Sequence, residues 1–135
     1  MSTRCNIIIK DYGKKCYLYH HSDGYPEHVG RLLKKFLKDY GEKEDVWDGE
    51  AIATSLVKEG VSYKTVSPIT GKVEDRCDDY YHCSIGLHGD IEYLYVIDCE
   101  KEKLTCYSVS SFEESRITRN ANIVEIPDYV EPKEK

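Results

Sequence analysis

A chain of 135 residues is the length of one domain and can bury roughly two-thirds of the surface its unfolded form exposes. Hydrophobic residues at 40% exclude a disordered chain, and a net charge of −6 with acids interleaved among lysines leaves no basic stripe for a phosphate backbone, so no nucleic-acid partner is expected. No secretory leader opens the sequence and no apolar run approaches a bilayer-spanning length, so a cytoplasmic protein with no membrane partner and six reduced cysteines is expected.

The β-branched and aromatic runs Cys5 to Lys10 and Lys15 to His21, split by Asp11-Tyr12-Gly13-Lys14, predict an antiparallel hairpin. Ser22-Asp23-Gly24 ends its second strand, with Asp23 expected to accept backbone N–H bonds and Gly24 to hold positive φ. Pro26 opens a helix, since its missing N–H costs nothing there, and Glu27 complements the dipole. Val29, Leu32, Leu33, Phe36, Leu37 and Tyr40 recur at spacings of three and four, which gives this helix one core face, and Gly41 is its expected stop. A second helix is predicted from an Asp48 N-cap to Glu59, stopped by Gly60.

Residues 61–79 read as a long loop with short strands, Tyr63 to Val66 among them. Tyr80 to His88, Ile91 to Ile97 and Leu104 to Val109 predict the strands of a meander, 111–116 a helical turn, and Asn122 to Ile126 an edge strand. Strands grouped apart from helices predict an α+β fold: an antiparallel sheet of about five strands with two helices on one face, in the order ββααβββ. It forms a single domain over residues 1–126, followed by a charged, frayed tail over 127–135.

Alternation puts Tyr17 and Tyr19 on one face of the second strand and Tyr93 and Tyr95 on one face of a later one, with Tyr107 alongside. Twelve tyrosines against two phenylalanines fit either half-buried rings with wet hydroxyls or an aromatic recognition surface on a sheet face the helices leave uncovered. The segment from Tyr19 to Pro26 is the densest polar and aromatic cluster. It sits where a strand meets a helix N-terminus, a junction suited to an anionic ligand, although a plain turn has the same composition. His20 or His21 with Asp23 would form a base and its orienter.

Cys77, His82, Cys83 and His88 lie close in sequence but lack CxxC or HExxH spacing, and adjacent strand residues point to opposite faces, so neither a metal site nor a cofactor is expected. No GxSxG elbow, Gly-rich phosphate loop or paired-carboxylate motif occurs.

The segments Ser2-Thr3-Arg4-Cys5-Asn6-Ile7 and Tyr19-His20-His21-Ser22-Asp23-Gly24-Tyr25-Pro26-Glu27-His28-Val29-Gly30 resemble a family of small uncharacterised proteins common in bacteriophages and prophages. That family opens with Thr-Arg-x-x-Ile and carries a Tyr-x-His-x-Asp-Gly-Tyr-Pro-x-x-x-Gly signature. This chain keeps Tyr19, His21, Asp23, Gly24, Tyr25, Pro26 and Gly30 but has Ser22 where the family usually has Trp, which would remove an aromatic wall if the motif lines a pocket. The resemblance implies a mobile-element accessory protein acting in a bacterial cytoplasm, and makes Arg4 a candidate partner for Asp23 or for a ligand anion.

Two functions are expected on these grounds. One is a non-enzymatic accessory or counter-defence factor that binds a host protein or a small anionic ligand such as a nucleotide. Its contacts would be Arg4, Tyr19, His21, Asp23 and Tyr25, with Tyr17, Tyr93 and Tyr95 as the tyrosine face, and a Tyr-lined homodimer groove is one form that surface can take. The other is a small hydrolase or transferase with His21 as base, Asp23 as its orienter and Arg4 stabilising negative charge, which requires the three to converge in one cleft. Acidic mimicry of nucleic acid is a third.

Overall fold

The computed structural model describes residues 2–134. The hairpin forms as expected: β1 (Cys5–Asp11) pairs antiparallel with β2 (Lys14–His20) around a turn whose Tyr12 and Gly13 both take positive φ. A π-helical turn, Pro26–Gly30, leads into α1 (Arg31–Lys43), and Arg31 N–H donates back to the Pro26 carbonyl. Helix α2 (Gly49–Lys58) is capped by Asp48, whose side chain accepts from the Glu50 and Ala51 N–H groups, and it stops at Gly60, where φ is +70° and a Cβ would stand 2.2 Å from the Asp78 carbonyl oxygen.

The rest of the chain supplies β3 (Val61–Val66), β4 (Val73–Asp78), β5 (Tyr81–Ser84), β6 (Tyr93–Asp98), β7 (Lys103–Ser108), a short α3 (Glu114–Ile117) and β8 (Ile123–Val124). The fold is α+β, with six strands in the main sheet rather than about five, in the order β5-β2-β1-β6-β7-β8. The sheet is mixed, because β6 runs parallel to β1 while the other neighbours pair antiparallel. The reason is topological: both helices and an extra hairpin intervene between β2 and β6, a connection long enough to return the chain to the end where β1 begins. That extra hairpin is the segment read as a long loop with short strands, and the strand expected over Tyr63 to Val66 lies within β3. Strands β3 and β4 form a separate two-stranded sheet, turned by Ser67, whose hydroxyl accepts from the Ile69 and Thr70 N–H groups.

Alternation along β1 divides the core. Ile7 and Ile9, with Leu18 and Ile97, pack under α1 and α2 against Leu33, Leu37, Ile52 and Leu56. Ile8 and Leu94 point the other way and are covered by Ile117 of α3 with half-buried Tyr17, Tyr107 and Leu87. The second face is therefore not bare. Gly41 does not stop α1, which continues to Lys43, with the Trp47 indole 3.4 Å from where a Gly41 Cβ would sit. The chain after Pro127, expected to fray, is seated at Tyr129, which packs on the main core and accepts a hydrogen bond from Lys64 N–H, and at Asp128, which pairs with Lys34. Among the described residues no helix is long and apolar enough to cross a membrane.

Candidate functional site

All five histidines of the chain gather at one end of the sheet, where β2 finishes and β1 and β5 begin. Strand register explains how they divide. Cys5, His20 and Tyr81 are cross-strand partners on the helix side, whereas Asn6, Tyr19 and His82 are partners on the opposite side.

On the helix side, His20 is fully buried and its Nε2 lies 2.7 Å from Asp78 Oδ1, at the end of β4. Asp78 is itself 3% exposed, and its second oxygen stands 3.7 Å from Nε2 of His28 in the π-helical turn. The Tyr81 ring meets His20 edge-on at 4.7 Å. Its phenol is held well above the ordinary range, by burial first and then by the Asp78 and Cys5 charges. His20 Nδ1, Asp78 Oδ2 and the Tyr81 hydroxyl have no hydrogen-bond partner among the described residues. The pair has the shape of a base with its orienter, but it is sealed from solvent. The neighbouring Cys5 is no nucleophile, since burial raises its thiol well above the ordinary value, with Cys106 and Asp78 adding to the rise. The structure makes His20–Asp78 a buried latch between hairpin β3–β4 and the main sheet.

On the opposite side His21, His82, His88 and Asp90 are exposed, around a buried Tyr19. Tyr19 is the centre: its hydroxyl donates to Asp90 at 2.9 Å, the His88 ring stacks on it at 3.7 Å, and His82 lies tilted at 5.3 Å. His21 stands 6.0 Å from His82 and 5.3 Å from the Tyr80 ring. Arg4 Nε pairs with the same Asp90 at 3.3 Å. Burial, and then the charges of His21, His88 and His20, hold the His82 imidazole below its ordinary range. Burial and the Asp90 hydrogen bond push Tyr19 up to about 12. Among the described residues no group of three or more His, Cys, Asp or Glu is arranged to hold a metal ion.

The sequence-derived residues are only partly brought together. Arg4, Tyr19 and His21 share this surface. Asp23 makes no side-chain hydrogen bond or ion pair among the described residues, and Arg4 pairs with Asp90 instead. Positive φ falls on Asp23 (52°) and not on Gly24. Glycine is needed at 24 for another reason: a Cβ there would stand 3.0 Å from Cys5 Cβ and Sγ. The Gly24 N–H donates to the Thr3 carbonyl and its own carbonyl accepts from the Tyr95 hydroxyl at 2.8 Å, while Gly30 packs on the Tyr95 ring. Much of the signature is thus a turn clamped over β1. Tyr25 is 36% exposed, with its ring 6.3 Å from His28.

The expected tyrosine face is overturned by register. Tyr93 and Tyr95 face the helices, Tyr95 fully buried, whereas Tyr17, Tyr19 and Tyr107 lie on the other face. Tyr17 is spent on α3, donating to Glu114 at 2.8 Å. Sequence reading missed Asp78, Tyr81, His28 and Asp90; it weighed His20 only as a base beside Asp23, and His82 and His88 only as metal ligands. The concentration of all five histidines within residues 20–88 was the one available signal, and pairing register was needed to use it. Comparison of the chain with protein-family models, with curated proteins and with solved structures returns no match.

Proposed function

We propose that this chain is a non-enzymatic binding protein that takes a small anionic ligand, such as a nucleotide, at the open histidine surface, as an accessory or counter-defence factor of a bacteriophage or prophage. The observation that supports this reading is the packing of His82 and His88 against Tyr19, with His21 6.0 Å from His82, beside Arg4 and with Asp90 as the acid among them. Neighbouring imidazoles oppose one another's protonation, and an anion bound between them reverses that penalty, so ligand binding and proton uptake favour each other. Tyr80, half exposed beside His21, adds a ring on which a planar base can stack. Native mass spectrometry of the protein purified from its host tests the reading. A retained small anion that is lost in a folded Arg4→Ala, His82→Ala variant supports it, and a bare mass for both proteins rejects it.

A second reading, a small hydrolase or transferase, is favoured by the 2.7 Å His20–Asp78 contact and requires hairpin β3–β4 to open. Turnover of p-nitrophenyl esters or phosphates that disappears in His20→Ala supports that reading, and identical background rates reject it.

A further inference from the structure

At the other end of β2, helix α2 touches β1, β2 and β5 but leaves the sheet near the hairpin turn open on its helix side. The gap is a cavity of about 710 Å³, within the size range of small-molecule sites. Ile9, Cys16, Ala53 and Val57 give it an apolar floor and wall. Its thiols lie on the same sheet face, because Cys83 is the register partner of Leu18, two residues from Cys16. His82, by contrast, faces the other way, so the cavity and the histidine surface are separated by the sheet.

The charges at its rim are unequally engaged. Asp11 accepts from the Gly49 N–H at 2.9 Å, and Lys15 is held by Glu114 of α3. The first N–H groups of α2 are also taken, since Asp48 accepts from Glu50 and Ala51, so the helix end is not the attraction. Lys14 and Lys58 remain without an ion-pair partner among the described residues, against Glu50 as the unengaged acid of the rim. Two free cations over an apolar floor, in a chain whose net charge is −6, complement one kind of small molecule.

We infer that this groove binds a small amphipathic anion, with an aromatic or aliphatic body on Ile9, Cys16, Ala53 and Val57 and a single carboxylate, sulfonate or phosphate head at Lys14 and Lys58. Fluorescence titration of the full chain with 1-anilinonaphthalene-8-sulfonate tests it, with uncharged N-phenyl-1-naphthylamine as control. Both probes bind saturably at one site per chain. Thr54→Trp, which fills the groove from an exposed wall position, abolishes both at unchanged near-UV circular dichroism. Lys14→Glu with Lys58→Glu weakens the sulfonate about tenfold and leaves the uncharged probe in place. Bound sulfonate also slows alkylation of Cys83 by N-ethylmaleimide.

Several results overturn the inference: sulfonate binding that survives Thr54→Trp, charge reversal that alters both probes alike or neither, or unchanged Cys83 alkylation. A dimer in sedimentation that Thr54→Trp dissolves does so too, since the groove would then be occupied by a second copy.

Discussion

Removing the Asp78 carboxylate is the perturbation with the largest expected effect on the histidine end. In Asp78→Ala, His20 loses its 2.7 Å partner while remaining fully buried, with Nδ1 already unpartnered, so neither ring nitrogen has a protein partner unless the site rearranges. Leaving a buried polar group without its partner costs about 1–3 kcal/mol, and more where a charge is left behind. Against a total stability of about 5–15 kcal/mol for a domain of this kind, that is a large fraction. Asp78→Asn keeps an acceptor at the same place and should cost less than Asp78→Ala. His20→Leu combined with Asp78→Leu should recover part of the loss, because two apolar side chains leave no orphaned polar group. Urea unfolding measures the totals, and native-state hydrogen exchange shows where they act. Protection should fall first in Val61–Val66 and Val73–Asp78, the hairpin that the latch holds, and last in β1 and β6. An Asp78→Ala protein within about 1 kcal/mol of wild type, or a loss of protection spread evenly over the sheet, would refute the reasoning.

Other consequences are simpler to measure. Tyr95→Phe leaves the Gly24 carbonyl without its buried donor and should cost about 1–3 kcal/mol in urea unfolding, with His21 ring signals broadened because the clamped turn that carries it loosens. In the native state Cys83 should react readily with a thiol reagent and Cys77 more slowly, since burial and then the Asp79 and Asp78 charges raise the Cys77 thiol. Cys5 and Cys106 should react only on unfolding, since both are fully buried and burial pushes Cys106 up to about 12. The depressed His82 gives a pH dependence of definite sign. The unfolded chain takes up this proton near the ordinary histidine value of 6.5 and the folded chain only at lower pH, so stability falls as pH drops through that window. His82→Gln should flatten this part of the profile, and added pyrophosphate should oppose the loss, whereas a profile identical in wild type and variant would remove His82 as its source.

The local elements were legible because their signals are local. Asp48 caps α2 with its own carboxylate and Gly60 ends it at positive φ, as composition alone indicates. The hairpin β1–β2 likewise follows from two β-branched runs and a Gly turn. What could not be read was pairing over distance. The parallel β1–β6 contact and the separate β3–β4 sheet decide that Tyr95 faces the helices while Tyr19 does not, and no pattern within either strand contains that information. The same holds for the site. His20 and His21 are equivalent in the sequence, but alternation at the end of β2 buries one against Asp78, 58 residues away, and exposes the other beside His82 and Tyr80. Gly24 was correctly singled out for the wrong reason, since its requirement comes from Cys5 on another strand and not from its own φ.

The most direct test of the central claim is an NMR titration of the five histidine ring signals with pyrophosphate at several pH values, on the full chain. The account predicts saturable shifts at His21, His82 and His88, a rise of the His82 titration midpoint on binding, and no direct response from buried His20. Shifts confined to His20 and His28, or none at any ring while the protein remains folded, would contradict it.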